Sequence, residues 1–341
     1  MNSREKFHAV MDYKSCDQVP YFEEGLRKEV IDAWHAQGMP HTDMRQLFPF
    51  DPRREVAPDL EPKPNLEKWP ASISDLDEFQ RCLDPADPQR FSPNWKKECR
   101  LWAGDDTVTM LRVHRGLFLS LGVYGWQRFA EVARLLIEQE KFVKQAMTIQ
   151  GEFAARMAEK ILGSVTIDAA IFSEPIGGNN GSLISPQMYE DLVLPSYLPL
   201  LAILKQYDVR TIIFRTYGNA RILIPGLLKF GFNCLWACEV NIDAMDYRSL
   251  RKEFGRDLRL IGGIDLDTLR RGRSSIRKEI EEKVPWLIND GGYIPLADGR
   301  IRENVSYKNY VYYRQILSDF IHPGKMPPGK KPLSLSRINR K

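Results

Sequence analysis

The chain has 341 residues, 43% of them apolar and 28% charged, which is material for one large domain or two modest ones and excludes a disordered or fibrous protein. No apolar run reaches the roughly 18–20 residues of a membrane span, and the opening MNSREKFHAVMDYKS lacks the continuous apolar stretch of a secretion signal, so a cytoplasmic, enzyme-sized globule is expected. The net charge of +4 misleads, because residues 323–341, PGKMPPGKKPLSLSRINRK, hold six Lys or Arg and no acid; without those six the remaining chain carries −2. Such a near-neutral body lacks the basic stripe of a nucleic-acid face, and the Pro-, Gly- and Lys-rich end reads as a disordered tail.

Along the chain, residues 1–17 predict a short helix leading to QVPYFEE, a strand candidate from Gln18. Residues 38–102 are rich in Pro and Asp with little sustained period. That length is too great for a simple loop, so an irregular excursion covering one end of the core is expected. DTVTMLRVHRG is a β-rich run ending in glycine, and GWQRFAEVARLLIEQEKFVKQAMTIQGEFAARMAEKILG spaces apolar residues by three and four through two helical segments, closed by Gly163. Strand-like runs then begin near Ile167, Val209, Asn233, Arg259 and Tyr293, with helices between them. One helix is SPQMYEDLVLPSYLPLLAILKQYD, with Ser185 as N-cap and Pro186 at its first position; another is ARILIPGLLKFG, ending at Gly231.

Strands alternating with helices imply a parallel sheet with helical cover. Repetition without a crossover break favours an α/β fold of the closed (β/α)₈ TIM-barrel type over a doubly wound sheet, and EPIGGNNGS lacks the spacing of a nucleotide fingerprint. A single barrel over residues 1–322, including the 38–102 excursion, followed by the tail is the expected organisation. The five cysteines, Cys16, Cys82, Cys99, Cys234 and Cys238, are odd in number and scattered, which suits a reducing compartment; the pair in CLWAC reads as packed core thiols.

In a parallel barrel the chemistry gathers at the C-terminal ends of the strands. Polar residues at those ends are Glu23 and Glu24, Arg112 and His114, Glu174, Arg215 and Tyr217, Glu239, Asp265, and Asp298 with Arg300. Plainer readings stand beside the functional one: Arg215 as a structural ion pair with Glu174 or Glu239, Asp265 and Asn219 as helix caps, His114 as an ordinary partly exposed histidine.

The order of local segments is more specific. REKFHAVMDYKSCDQVPYFEE, GSLISPQMYEDLVLPSYLPLL, FRTYGNARILIPGLLKFGFNCLWACEV, RDLRLIGGIDLDTLRRG and GGYIPLADGRIRENVSYKNYVYY together resemble the framework of the uroporphyrinogen decarboxylase superfamily. The features that carry it are the S-P-x-M-Y helix start, the G-N-x-x-x-L-I-P turn, G-G-I-D and G-G-Y-I-P. The resemblance, over about residues 3–318, implies a (β/α)₈ barrel with its pocket at the C-terminal face, used either for tetrapyrrole decarboxylation or for methyl transfer with a corrinoid.

Departures from the family pattern narrow the choice. Zinc-dependent methyltransferases of this family carry His-x-Cys before the Gly-Asn turn, where this chain has Arg215 and Tyr217, and many relatives carry Asp-His where it has Asp298 and Gly299. Arginine cannot ligate zinc, so a zinc site is not expected. The R-Q-A-G-R-Y-like segment of authentic uroporphyrinogen decarboxylases is replaced by YFEEGLRKEV, and F-S-D is absent; acids there would repel a polyanionic porphyrinogen.

The reading this implies first is corrinoid-linked methyl transfer, between cobalamin on a partner protein and a small molecule such as tetrahydrofolate or a methoxylated compound. Glu174, Tyr217 and Glu239 would be the catalytic groups, and Arg112, His114, Arg215, Asn219, Asp265, Asp298 and Arg300 would bind substrate. A divergent decarboxylase and a non-catalytic corrinoid- or tetrapyrrole-binding protein are the alternatives. Expected partners are a small-molecule substrate, a corrinoid protein and a second copy of the chain, with no nucleic acid and no membrane.

Overall fold

The computed structural model describes residues 1–322 apart from 15, 17 and 239–241; the tail at 323–341 and Glu239 lie outside the described residues. The chain divides into two compact units. One comprises Met1, Glu5–Asp51 and the chain from Ile264; the other comprises Asn2–Arg4 and Pro52–Gly263.

Seven strands form one sheet in chain order: β1 (Arg53–Val56), β2 (Val108–His114), β3 (Ala169–Glu174), β4 (Thr211–Tyr217), β5 (Cys234–Cys238), β6 (Arg259–Ile264) and β7 (Tyr293–Ala297). The pairs from β1–β2 through β5–β6 are all parallel. The runs expected near Ile167, Val209, Asn233, Arg259 and Tyr293 are therefore strands. An eighth strand is not found among the described residues. The segment expected to supply the first one, from Gln18, has no regular secondary structure, and β1 lies instead inside the stretch expected to be irregular.

Helices cover the second unit as the spacing predicts. Trp126–Glu138 and Glu140–Leu162 follow one another, the second ending at Gly163 and burying thirteen residues. The single helix expected from Ser185 is three pieces, Pro186–Leu192, a 3₁₀ turn Leu194–Tyr197 and Leu198–Gln206. Pro195 lacks the N–H that an unbroken helix would need there. Ser185 caps the first piece by accepting from the Met188 amide at 3.1 Å, a contact worth about 1 kcal/mol.

Two glycine positions are forced by close approach. Gly218 (φ +65) ends β4 where a Cβ would sit 2.8 Å from the Gly177 carbonyl oxygen, and the next amide, Asn219 N, donates to Gly178 O at 2.8 Å. The turn after β4 is thereby stitched to the loop after β3. Gly263 (φ +82) leaves room for Tyr247, whose ring would lie 2.4 Å from an added Cβ. The Tyr247 hydroxyl ties β5 to β6 by accepting from Ala237 N and donating to Ile261 O.

In the first unit, Trp34 of helix Lys28–Ala36 packs at a tilt against Tyr310 of helix Tyr307–Ile321 with ring centres 4.6 Å apart and donates to Val305 O. Arg314, 3% exposed, donates to the carbonyls of Phe22 and Pro49 and to Glu23. Each fixed acceptor offsets part of the cost of burying that charge. Among the described residues the five cysteines form no disulfide, and no helix is long and apolar enough to cross a membrane.

Candidate functional site

Parallel registers decide which side chains share a face. Glu55 pairs with Met110, Arg112 with Ile171, Ser173 with Arg215, Arg215 with Trp236, and Tyr217 with Cys238. Because side chains alternate along a strand, Arg53, Glu55, Arg112, Ser173, Arg215, Tyr217, Trp236 and Cys238 all project from one face of the second unit's sheet. Phe172, Glu174, Phe214 and Thr216 project from the other.

The first face is charged. Glu55 accepts from Arg215 Nη1 through both oxygens, at 2.9 and 3.1 Å, and from Arg53 Nη1 at 2.5 Å. Both guanidinium groups lie over the Trp236 ring, at 4.8 Å for Arg53 and 4.5 Å for Arg215, so the indole face adds cation–π attraction on the side away from the carboxylate. Burial pushes the Glu55 carboxyl up, but the charges of Arg215 and Arg53, with Arg112 adding to them, outweigh it and hold it below its ordinary value. Glu55 is therefore an anion at neutral pH. Arg112 is exposed and has no hydrogen-bonding partner among the described residues. Among the described residues the charges of Arg215, Arg53 and Arg112 all act on Glu55, and Tyr217, 39% exposed, ends β4 on the same face.

The second face is sealed. Glu174 is fully buried; one oxygen accepts from Leu117 N at 2.8 Å, the other from Tyr189 and Tyr197 hydroxyls at 3.0 and 2.7 Å. Burial drives its pKa up to about 7 despite the opposing bonds from Tyr197, Leu117 N and Tyr189. Simple alternation would put His114 on the face of Arg112, two residues before it, but the register shifts between them and places His114 opposite Phe172. It is 3% exposed rather than partly exposed, accepts from Gly116 N through Nδ1, and packs edge-on against Tyr197. Burial, then the charge of Arg115, depress its pKa to about 3, so it is neutral with its proton on Nε2.

Other expected site residues make local contacts of their own. Asn219 accepts from Arg221 N at 3.2 Å, closing the turn after β4, while the N-cap position of the helical turn that follows is Ala220. In the other unit, Asp265 caps helix Leu266–Arg270, accepting from Asp267 N and the Thr268 hydroxyl at 2.8 Å each. Asp298 accepts from Leu266 N at 3.0 Å, and Arg300 is exposed. Arg215 forms an ion pair with Glu55; the expected pair with Glu174 fails because Glu174 lies on the opposite face, and the alternative with Glu239 lies outside the described residues.

The second unit also holds a cleft of about 1170 Å³ beside the β4 turn. Phe118, Leu136, Ile184 and Ile222 give it apolar walls, with Asn180 and Asn219 as polar points, a lining typical of small-molecule sites.

Sequence reasoning missed Arg53, Glu55 and Trp236. RREV offers neither apolar alternation nor β-branched residues until its last position, so nothing in it signals a strand. The usable signal was chemical: a Glu directly after two arginines, Arg53 and Arg54.

A comparison with curated proteins finds no match. Among solved structures, a uronate isomerase from Bacillus halodurans is similar over 74% of this chain at 12% identity and a TM-score of 0.35; this chain spans 61% of that one, and a likeness so distant carries no weight. Residues 119–295, just over half of the chain, match the family model described as uroporphyrinogen decarboxylase (URO-D). That stretch runs through β3 to β6 and into β7, with Arg215, Tyr217 and Trp236 inside it, and the chain belongs to the uroporphyrinogen decarboxylase family.

Proposed function

We propose that this protein is a URO-D-family enzyme acting on a small carboxylate-bearing substrate, by loss of carbon dioxide, at the arginine face of its sheet. The observation that carries this is exposed Arg112, which has no hydrogen-bonding partner among the described residues, beside the Glu55 pair with Arg215 and Arg53. Arginine binds carboxylates through two parallel N–H donors and keeps its charge at any working pH.

Arg112 would take the substrate carboxylate while Arg215 and Arg53, fixed by Glu55 over Trp236, supply a positive field beside it. As the carbon–carbon bond breaks, its electron pair stays on the substrate carbon, carbon dioxide departs, and the Tyr217 hydroxyl delivers a proton to that carbon and regains one from solvent. The substrate must carry its own electron sink, such as a conjugated or protonated ring. Charge leaves the carboxylate during this step, so Arg112 contributes to ground-state binding and its loss raises KM more than it lowers kcat. The expected result is carbon dioxide release from members of a carboxylic-acid panel, reduced about 100-fold or more in kcat by Tyr217→Phe, as removal of a general acid entails. Release unchanged by Tyr217→Phe would remove it as the acid.

Corrinoid-linked methyl transfer is the second reading, favoured by the large cleft beside Asn219. Its apolar walls suit a flat macrocycle, and Asn180 and Asn219 suit a ligand rimmed with amides; when bound, a corrinoid would supply the methyl carrier. Anoxic absorbance with methylcobalamin separates the readings: a spectral change on adding a methyl acceptor supports transfer, and carbon dioxide release without any corrinoid supports the lyase.

A further inference from the structure

The loop after β3 carries GGNNGS, and its Asn180–Gly181 step is the one Asn-Gly dipeptide in the chain. Gly178 N donates to Gly181 O at 2.7 Å and Leu183 N to Ile176 O at 2.8 Å, which folds the segment back on itself with Asn179 and Asn180 at the exposed tip. We propose that Asn180–Gly181 is a self-modification site, at which the Gly181 amide nitrogen attacks the Asn180 side chain and turns a neutral point on the wall of the neighbouring cleft into a carboxylate. Its chemistry is independent of the reaction at the arginine face.

Three local features leave this step open. The Asn180 side chain makes no hydrogen bond among the described residues, so its carboxamide is free to turn toward the backbone. The Gly181 carbonyl is engaged, but its N–H has no acceptor among the described residues, and that nitrogen is the nucleophile. Space around it is open: a Cβ added to Gly181 would meet nothing within 4 Å, and glycine itself sets no side chain between the reacting groups. Asn233, in the same unit, is the contrast. Its side chain accepts from Ile212 N at 3.0 Å and donates to Arg210 O at 2.8 Å, and a cysteine follows it.

The step needs only water as co-reactant. Gly181 N bonds to Asn180 Cγ, the Cγ–Nδ2 bond breaks, and the side-chain nitrogen leaves as ammonia with the proton from Gly181 N. Water then opens the cyclic imide at either carbonyl, giving aspartate or isoaspartate. Asn180 lines the cleft, whose charged lining residues Arg221 and Glu253 are already paired with each other. The new carboxylate is therefore uncompensated, and it disfavours an apolar or anionic ligand there. Isoaspartate also adds a methylene to the backbone beside Gly181, whose carbonyl closes the turn.

The experiment keeps the folded full-length protein, wild type and Asn180→Gln, in water enriched in heavy oxygen, at neutral and at mildly alkaline pH. Each asparagine is followed by peptide mass spectrometry that separates aspartate from isoaspartate. The expected result is heavy-oxygen acid at position 180, with both isomers present, appearing at least several-fold faster than at any other asparagine. The rate should rise with pH, which favours the deprotonated attacking nitrogen. Asn180→Gln, which would have to close a larger ring, should show no label at 180, and Asn233 should stay an amide. Label at 180 as aspartate alone would mean direct hydrolysis and overturn the role of Gly181. An unmodified Asn180, or labelling no faster there than at Asn233, overturns the site altogether.

Discussion

Two faces of one short sheet, built from alternate residues of the same strands, are made of different chemistry. On β3, Ser173 and Glu174 are adjacent; Ser173 is half-buried beside Arg215, whereas Glu174 is enclosed by two tyrosines and a backbone amide. The acid on the sealed face has every partner satisfied and no route to a ligand. The acid on the charged face, Glu55, accepts from the guanidinium groups of Arg215 and Arg53. The lesson is that a carboxylate at a strand end is defined by which way its residue points: parity, more than position, separates a clamp from a site.

The sharpest way to break this comparison is to remove the clamp. Glu174→Ala strips an acceptor from two buried hydroxyls and a buried amide, so unfolding free energy should fall by about 4 kcal/mol or more; chemical denaturation that finds under about 1 kcal/mol would mean that Glu174 is not the anchor described. Its titration gives a second handle. The folded protein holds the Glu174 proton up to about pH 7, while the unfolded chain releases it near the ordinary value of 4.5. Stability from this group is therefore present below about 4.5 and is lost as pH rises through about 7, by up to about 3 kcal/mol. Denaturation midpoints of wild type and Glu174→Gln across that window should diverge in this sense, and parallel curves would refute it. The smallest effect sharpens the contrast from the neighbouring residue: Ser173→Ala, on the other face, should alter stability by no more than about 0.5 kcal/mol.

Much of the fold was legible because buried parallel strands read as apolar runs. IDAAIF, VRTIIF and NCLWAC declare themselves, and the helices between them keep a 3.6 period. The first strand was not legible, since RREV is polar and short and is held as a strand by pairing with β2, a long-range contact with no local signal. At the site, Arg112, Arg215 and Tyr217 were found together because each ends or nears the end of a readable strand. Glu174 and His114 were grouped with them on position alone. Separating Glu174 needed only the period of two, but His114 also needed the register shift after Arg112, which depends on packing and leaves no mark in the sequence.

The central claim is that the arginine face receives ligand through Arg112. The direct test is the rise in melting temperature that benzoate produces in wild type and in Arg112→Gln, measured at constant ionic strength. A concentration-dependent rise in wild type that vanishes in Arg112→Gln, with equal melting temperatures of the two free proteins, is the predicted result. An equal rise in both, or none in wild type, would contradict it.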